Sequence, residues 1–345
     1  MSLITEINEQ PDRLRSLLAS QRKTAEKIAK AIHKHDIDFV FLAARGTSDN
    51  AGRYANYLWG ALNQLPIALA TPSLFTYYQK PPRLKNALVV GISQSGKSPD
   101  IVSVLEDGKR QNCLTLAITN EPDSPLAKIS DFVMDIQTGP ELAVAATKTY
   151  TAELMAIAML SAAMSEDESK WKVLGKVGGW AKEVLKQNKR IEQVAQRYRY
   201  MRQCVVLGRG YNYSTAFEWA LKLKELTYVL AEPYSSADFQ HGPMAMIENS
   251  FPVMAINPDG SVFETMKQAL AHLRNDFGAE LVVVSNNKDA LDLAQTPLLI
   301  PGEIPEWVTP LVSIIPAQLF AYHLTLAKGF DTEKPRSIRK VTETR

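Results

Sequence analysis

The strongest constraint on the fold is an internal repeat of apolar segments that spans most of the chain. Three segments in the first half have counterparts in the second half: 39–48 with 204–212, 88–93 with 252–257, and 114–119 with 281–286. Helix-prone stretches separate these segments, and each segment is apolar on both of its faces. Strands of this kind are typical of parallel sheets that helices cover on both sides. The repeat therefore predicts an α/β fold with two tandem, doubly wound parallel sheets, each of the flavodoxin-like α/β/α type.

The length of the chain agrees with two domains of ordinary size. At 345 residues the chain is long for a single hydrophobic core. Residues 4–35 have helical periodicity, and residues 165–200 are charged and helical, as expected for a connector. We expect an N-terminal helical segment at 1–35, a first domain at 36–180 and a second domain at 181–345.

Composition limits which binding partners and which cellular compartment we expect for the protein. The net charge is +2, and no basic stripe or aromatic platform stands out, so we expect no nucleic-acid partner. Cys113 and Cys204 lie in or beside apolar runs, which predicts buried free thiols in a reducing compartment. No signal peptide and no apolar run of roughly eighteen residues is evident, so we expect a cytoplasmic protein with no membrane partner.

The histidines give no indication of a metal site. They are scattered and lack acidic partners at the spacing of metal ligands. The five are His33, His35, His241, His272 and His323. We expect neither a metal ion nor an organic cofactor, and we expect the first two histidines to lie on an exposed helix end.

The segment 87–100 combines an apolar strand, a hydroxyl-rich turn and a helix start. Its polar side chains would surround the N–H groups of a helix N-terminus, which attracts anions. These side chains are Ser93, Gln94, Ser95 and Ser98. The glycine and lysine pattern of nucleotide-binding loops is missing, so a monoester such as a sugar phosphate fits better than ATP. An ordinary helix start, with Ser98 as N-cap and Pro99 at the first helical position, is the alternative, but it leaves the other three side chains unexplained.

A second cluster lies on the helix that follows Gly210. Glu218, Lys222 and Glu225 fall on one face of this helix. A solvated ladder of ion pairs explains this spacing as well as a functional site does. The long loop that follows places His241 before a Gly-Pro turn, where a histidine is a candidate acid or base.

Several motifs occur together in the order of a known family. They are Arg45-Gly46-Thr47-Ser48, Ser93-Gln94-Ser95-Gly96, Val144-Ala145-Ala146-Thr147-Lys148-Thr149, Leu207-Gly208-Arg209-Gly210, Ala220-Leu221-Lys222-Leu223-Lys224-Glu225, His241-Gly242-Pro243 and Pro335-Arg336-Ser337-Ile338-Arg339-Lys340. Both halves resemble sugar isomerase (SIS) domains. The pair resembles the isomerase portion of the glutamine:fructose-6-phosphate aminotransferase family.

This resemblance implies a phosphosugar ligand and a role for each matching residue. The phosphate would be held by Ser48, Ser93, Gln94, Ser95 and Ser98, with Thr47 and Val144 near the sugar. Glu225 would move a proton between C1 and C2, with Lys222 beside the enediol. His241 would assist ring opening, and Lys340 would hold the open-chain ketose as a Schiff base. The resemblance also implies a homodimer with a shared active site, to which the neighbouring subunit contributes His241.

Departures from the family leave more than one function open. The aminotransferases carry an N-terminal glutaminase domain that begins with a cysteine nucleophile, whereas residue 2 here is Ser2, so we expect no complete glutamine-dependent synthase. Ser98 replaces the usual threonine, and Ala146 replaces the usual serine. The leading hypothesis is an amino-sugar phosphate deaminase/isomerase that converts glucosamine 6-phosphate, or a close relative, to fructose 6-phosphate and ammonia. The alternatives are a phosphosugar aldose/ketose isomerase, a glutamine-independent aminotransferase-type enzyme, and a sugar-phosphate sensor that lacks an evident DNA-reading unit.

Overall fold

Ten strands and thirteen α-helices alternate along the part of the chain that the computed structural model describes, residues 2–337. The strands are Phe39–Ala43 (β1), Ile67–Leu69 (β2), Ala87–Ile92 (β3), Leu114–Thr119 (β4), Phe132–Asp135 (β5), Gln203–Gly208 (β6), Leu230–Ser235 (β7), Pro252–Ile256 (β8), Glu280–Ser285 (β9) and Thr296–Leu299 (β10). The helices are Leu3–Lys34 (α1), Gly46–Asn63 (α2), Ser73–Thr76 (α3), Pro99–Arg110 (α4), Pro125–Ile129 (α5), Lys148–Met164 (α6), Glu168–Leu185 (α7), Asn188–Ala195 (α8), Tyr213–Lys222 (α9), Ser236–Gln240 (α10), Phe263–Phe277 (α11), Lys288–Asp292 (α12) and Thr309–Ala327 (α13). A π-helix, Leu223–Thr227, continues α9.

The first sheet has five parallel strands in the order β2-β1-β3-β4-β5. Every residue of β3 and β4 is buried, which explains why these strands are apolar on both faces. Val40 of β1 pairs with Leu88 of β3, so the carboxyl ends of these two strands lie side by side. The strand order reverses between β1 and β3, which is where ligands bind in sheets of this kind.

The second sheet repeats the first. Its five parallel strands have the order β10-β9-β8-β6-β7, and from the opposite edge this is the order of the first sheet. The predicted pairs of segments form β1 and β6, β3 and β8, and β4 and β9, each at equivalent places. The prediction of two doubly wound parallel α/β sheets is therefore confirmed.

Two compact units divide the described chain. The first unit comprises Asp12–Glu141 and Lys148–Lys176, and the second comprises 2–11, Leu142–Thr147 and 177–337. The segment Leu142–Thr147 lies in sequence between the two parts of the first unit, but it belongs to the second unit. The sequence analysis predicted domains that are continuous in sequence, with boundaries at residues 35 and 180. These boundaries stay predictions.

One helix of the second unit is apolar along most of its length. Within residues 2–337, the helical stretch Glu306–Ala327 is long and apolar enough to cross a membrane by length and composition alone. Polar residues such as Ser313 and Gln318 interrupt the stretch, so it is not an unbroken apolar run. Its most apolar window is 83% buried, and the buried core helix of a folded domain passes the same test.

The cysteines and histidines mostly follow the sequence analysis. Cys113 and Cys204 are free and buried, as predicted, and burial raises the pKa of both thiols. The helix α1 ends just after the exposed His33, also as predicted. His272 does have an acidic partner, because its Nδ1 lies 2.5 Å from Oδ2 of Asp276 on the next helical turn. Among the described residues, no group of three or more His, Cys, Asp or Glu side chains could hold a metal ion.

Candidate active site

The predicted phosphate loop lies at the carboxyl end of β3, beside the end of β1. Ser93 and Ser95 both accept backbone N–H groups through their hydroxyl oxygens: Gly96 N lies 3.2 Å from Ser93 Oγ, and Lys97 N lies 3.3 Å from Ser95 Oγ. Because a hydroxyl carries one hydrogen and two lone pairs, each serine keeps its hydrogen for a ligand oxygen. Both hydroxyls can therefore still donate a hydrogen bond.

Ser98 occupies the N-cap position of α4, and Pro99 follows at the first helical position. The Ser98 side chain makes no capping hydrogen bond. The alternative of an ordinary helix start therefore explains the position of Ser98 but gives its hydroxyl no function. A hydroxyl that the helix does not use can donate to a bound phosphate at the helix N-terminus.

The loop is fixed by bonds to its surroundings in the first unit. The backbone carbonyl oxygen of Gln94 accepts hydrogen bonds from Thr119 Oγ1 at 3.2 Å and from Asn120 N at 3.1 Å. The amide Nε2 of Gln94 donates to Oε2 of the buried Glu141 at 3.1 Å, and Thr149 N donates to the other oxygen of that carboxylate. The Gln94 amide thus has one N–H held by the protein.

Gly96 allows the tight turn of this loop. Its φ is +59°, and a Cβ atom there would lie 2.0 Å from Ser124 Oγ. We expect Gly96→Ala to lower the free energy of unfolding by roughly 2–4 kcal/mol, because strain and overpacking act together. Denaturant unfolding measures this loss, and the binding of inorganic phosphate should weaken with it.

Gly60 is the matched control for this change. It lies inside α2, and a Cβ there would meet no atom within 4 Å. Gly60→Ala should therefore raise stability by about 0.5–1 kcal/mol, since alanine favours a helix interior. Equal effects of the two substitutions would contradict the steric account of Gly96.

The loop after β1 carries the second group of predicted ligand-binding residues. Thr47 is half-buried, and Ser48 is buried near the start of α2. Ser48 Oγ donates to Oε1 of Glu153, which is fully buried, at 2.7 Å. The preceding Arg45 donates through Nε to Oδ2 of the buried Asp100 at 2.8 Å. The sequence analysis missed both carboxylates.

The second unit contains the predicted acid–base cluster. Lys222 Nζ lies 3.3 Å from Glu218 Oε1 and 2.6 Å from Glu225 Oε2. The side chains of Glu218 and Lys222 are 0% and 1% exposed, so the alternative of a solvated ladder is wrong for this pair. Glu225 is 24% exposed and is the member of the cluster that a ligand can reach. Burial alone would lower the pKa of Lys222, but the charges of Glu218 and Glu225 outweigh burial and hold the pKa above its usual value.

Glu225 lies on the π-helix rather than on regular α-helix. Short π-helical segments are rare and often occur at functional sites. The π-helix ends at Thr227, and the next residue, Tyr228, has a φ of +56°, which is unusual for a bulky residue. Tyr228 is held by Arg336, which donates its backbone N–H to the Tyr228 hydroxyl at 2.8 Å and stacks its guanidinium 4.5 Å from the ring centroid. The last described residues of the chain are thus fixed beside the element that carries Glu225.

His241 and Glu225 flank β7 in the sequence of the second unit. Glu225 precedes β7, and His241 follows it, after α10. β7 has six residues, which corresponds to about 20 Å of extended chain. The His241 ring is exposed and makes no hydrogen bond or ion pair with any residue between 2 and 337.

Val144 lies in the short segment that joins the second unit. Glu6, which is fully buried, accepts the backbone N–H groups of Leu142 and Ala143 at 2.5 and 3.3 Å. This anchor fixes the backbone just before the half-buried Val144. Lys340, the predicted Schiff-base residue, lies outside the described residues.

Comparison with known proteins gives a family match over both repeats. The family model of the SIS domain matches residues 35–163 and 198–328. An isomerizing glutamine–fructose-6-phosphate aminotransferase of Thermus thermophilus is 31% identical over 98% of this chain and 58% of its own length. The chain thus spans just over half of the length of that relative.

Two solved structures match this chain over both repeats. The C-terminal domain of glucosamine-fructose-6-phosphate aminotransferase from Francisella tularensis has a TM-score of 0.87 and 27% identity, over 96% of this chain and 98% of that one. A protein of Silicibacter pomeroyi DSS-3 assigned as a phosphosugar isomerase has a TM-score of 0.87 and 31% identity, over 96% of this chain and 100% of that one.

Proposed function

This chain belongs to the SIS domain family, and from this premise we propose that it is an enzyme of the phosphosugar isomerase type. The observation that carries the proposal is the reachable Glu225 carboxylate beside the buried Lys222 ammonium. A carboxylate that can contact two adjacent carbons can carry a proton from one to the other. The neighbouring ammonium supplies a positive charge for the oxyanion of an enediol.

The hydroxyl groups of the predicted phosphate loop support the proposal that the substrate carries a phosphate. Ser93 and Ser95 each keep a hydroxyl hydrogen for a ligand, and Ser98 adds a hydroxyl at the start of α4. These donors lie at the position in the sheet where ligands bind in folds of this kind. A phosphate held there would anchor a phosphosugar at this loop of the first unit.

At finer detail, the proposed reaction is the deamination of glucosamine 6-phosphate or a close relative. Opening of the sugar ring exposes an aldehyde at C1. Glu225 then removes the proton from C2 and returns it to C1, while O1 gains a proton and the C2 amine loses one, which leaves a hydroxyl at C1 and an imine at C2. Ammonia leaves C2 and an oxygen atom from water takes its place, so the products are fructose 6-phosphate and ammonia. The reaction needs only the amino-sugar phosphate and water, so two SIS domains can complete it without a second organic substrate.

Lys340 and His241 have proposed roles in the same sequence of steps. Lys340 would displace ammonia from C2 and form a Schiff base that water then hydrolyses. His241 would protonate the ring oxygen as the ring opens. Because His241 and Glu225 lie at the two ends of β7, we propose that a second copy of the chain supplies His241 to the site. The active protein would then be a homodimer.

Ammonia release from glucosamine 6-phosphate tests this proposal. Purified protein should release ammonia and fructose 6-phosphate in equal amounts. Interconversion of sugar phosphates without ammonia would instead favour a plain aldose/ketose isomerase. Tight binding of sugar phosphates with neither reaction would favour a sensor. Addition of ammonia and fructose 6-phosphate should run the reaction backwards if the enzyme is of the aminotransferase type.

A further inference from the structure

The element that carries Glu225 has an unusual backbone at its end. The π-helix Leu223–Thr227 is followed directly by Tyr228, whose φ of +56° lies in the left-handed region. Both conformations are rare, and the second is unfavourable for any residue with a Cβ atom. Conformations of this kind persist only where contacts with the surrounding structure hold them. The contacts of Tyr228 therefore bear on the geometry of the π-helix.

Tyr228 is held by two residues near the end of the described chain. Its ring packs against that of Phe330, with the two ring centroids 4.9 Å apart. Its hydroxyl accepts the backbone N–H of Arg336 at 2.8 Å. The guanidinium carbon of Arg336 lies 4.5 Å from the ring centroid of Tyr228 and 5.1 Å from that of Phe330, within the range of cation–π interactions. These three residues form a clamp on the end of the π-helix.

The clamp is itself fixed to a buried helix. Phe330 N donates to Thr325 O at 3.0 Å, which ties Phe330 to the last turn of α13. Most of α13 is buried, and it packs against the π-helix. Within the π-helix, Thr227 Oγ1 donates to Leu223 O at 2.6 Å. The clamp and the π-helix are therefore parts of one connected structure within the second unit.

We propose that Tyr228 and Arg336 are positioning residues that hold the Glu225 carboxylate where it can transfer a proton. Neither residue needs to touch a reacting atom, because both act through the backbone of the π-helix, which ends one residue before Tyr228. A carboxylate that must reach two adjacent carbons tolerates little displacement, since a shift of about 1 Å can cost about 10²-fold in rate. This role rests on the proposed proton transfer by Glu225 but not on deamination.

Arg336→Ala tests the clamp, because it removes the guanidinium and keeps the backbone N–H. The kcat for the sugar phosphate should fall about 5–50-fold, while KM changes less than about threefold, since the proposed phosphate ligands belong to the first unit. Hydrogen–deuterium exchange of the amides of residues 223–228 should become faster in the same variant. Arg336→Lys keeps a cation beside the two rings and should recover part of both losses.

Arg22→Ala is the matched control. Arg22 also stacks on an aromatic ring, with its guanidinium carbon 4.7 Å from the ring centroid of Trp171, but it belongs to the first unit. Its removal should leave kcat and the amide exchange of residues 223–228 unchanged. Tyr228→Gly guards against loss of folding as the cause, because glycine favours the left-handed conformation but has no ring to clamp. This variant should stay folded and still lose kcat as Arg336→Ala does.

The proposal is overturned if Arg336→Ala and Tyr228→Gly keep the wild-type kcat. It is also overturned if kcat falls while the C2 hydrogen of the substrate exchanges at the wild-type rate, because the clamp would then serve a step other than proton transfer by Glu225. A wild-type protein that neither exchanges this hydrogen nor turns over a sugar phosphate would overturn the proposed function. Amide exchange of residues 223–228 would then decide on the clamp alone: faster exchange in Arg336→Ala supports it, and unchanged exchange overturns it.

Discussion

Replacing Glu225 with glutamine should slow turnover of the sugar phosphate about 10²–10⁴-fold, the usual contribution of a general base. The amide keeps the size of the side chain but cannot take up a proton. Exchange of the C2 hydrogen of the substrate with deuterium from solvent should be lost in parallel. The dissociation constant of the sugar phosphate should change little, because the proposed phosphate ligands belong to other segments.

Glu248→Gln is a suitable control for this substitution. Glu248 is an exposed glutamate of the same unit, so its replacement should leave both turnover and exchange unchanged. A Glu225→Gln protein that keeps more than about a tenth of wild-type turnover would exclude Glu225 as the group that moves the proton, because the expected loss is far larger.

The strand repeat shows what the sequence could predict. Parallel strands that are buried on both faces must be apolar throughout, so segments such as 88–93 and 114–119 stand out without any knowledge of their neighbours. β3 and β4 form at these positions, within a residue of the expected bounds. The two sheets have the same strand order because the two halves carry the same sequence of elements.

The acid–base cluster shows where prediction from spacing ends. The spacing of Glu218, Lys222 and Glu225 predicted that they meet, and they do. Spacing could not decide whether this face is solvated, because burial depends on which distant segments pack over it. The π-helix was also missed, since no local residue pattern distinguishes it from the α-helix before it.

The acidic residues that hydrogen-bond to the ligand loops lie too far from these loops in sequence to be predicted. Glu153 meets Ser48 across 105 residues, and Glu6 holds the backbone at Leu142 across 136. Nothing in the sequence near Ser48 indicates which acidic residue will accept its hydrogen. The chemistry of individual hydroxyls is therefore visible only once the fold is known.

Replacing Lys222 with methionine should destabilise the protein by about 3–5 kcal/mol, the usual cost of removing one partner of a buried ion pair. Methionine fills much of the space but leaves the fully buried Glu218 carboxylate beside an apolar side chain. In a protein of 345 residues the midpoint of thermal unfolding should fall by roughly 4–7 °C. Differential scanning calorimetry measures this fall.

The dependence on pH separates an electrostatic cause from a loss of packing. In wild type, the pKa of Lys222 is raised on folding, so its contribution is complete below the ordinary lysine pKa and is lost only as the pH rises through the higher folded value. Wild-type stability should therefore show no change from this group between about pH 6 and pH 9. In the variant, loss of the Lys222 charge should raise the pKa of Glu218, so the deficit in Tm should shrink as the pH falls and this carboxyl group gains a proton.

Two further variants show whether the buried Glu218 carboxylate causes the effect. Lys267→Met removes a lysine that also lies next to a glutamate one turn away, Glu264, but at the surface. It should hardly change Tm, since exposed ion pairs contribute little. A double variant, Lys222→Met with Glu218→Leu, should regain much of the lost stability because both buried charges of the pair are then removed. If the double variant is no more stable than Lys222→Met alone, loss of packing rather than an uncompensated charge explains the fall.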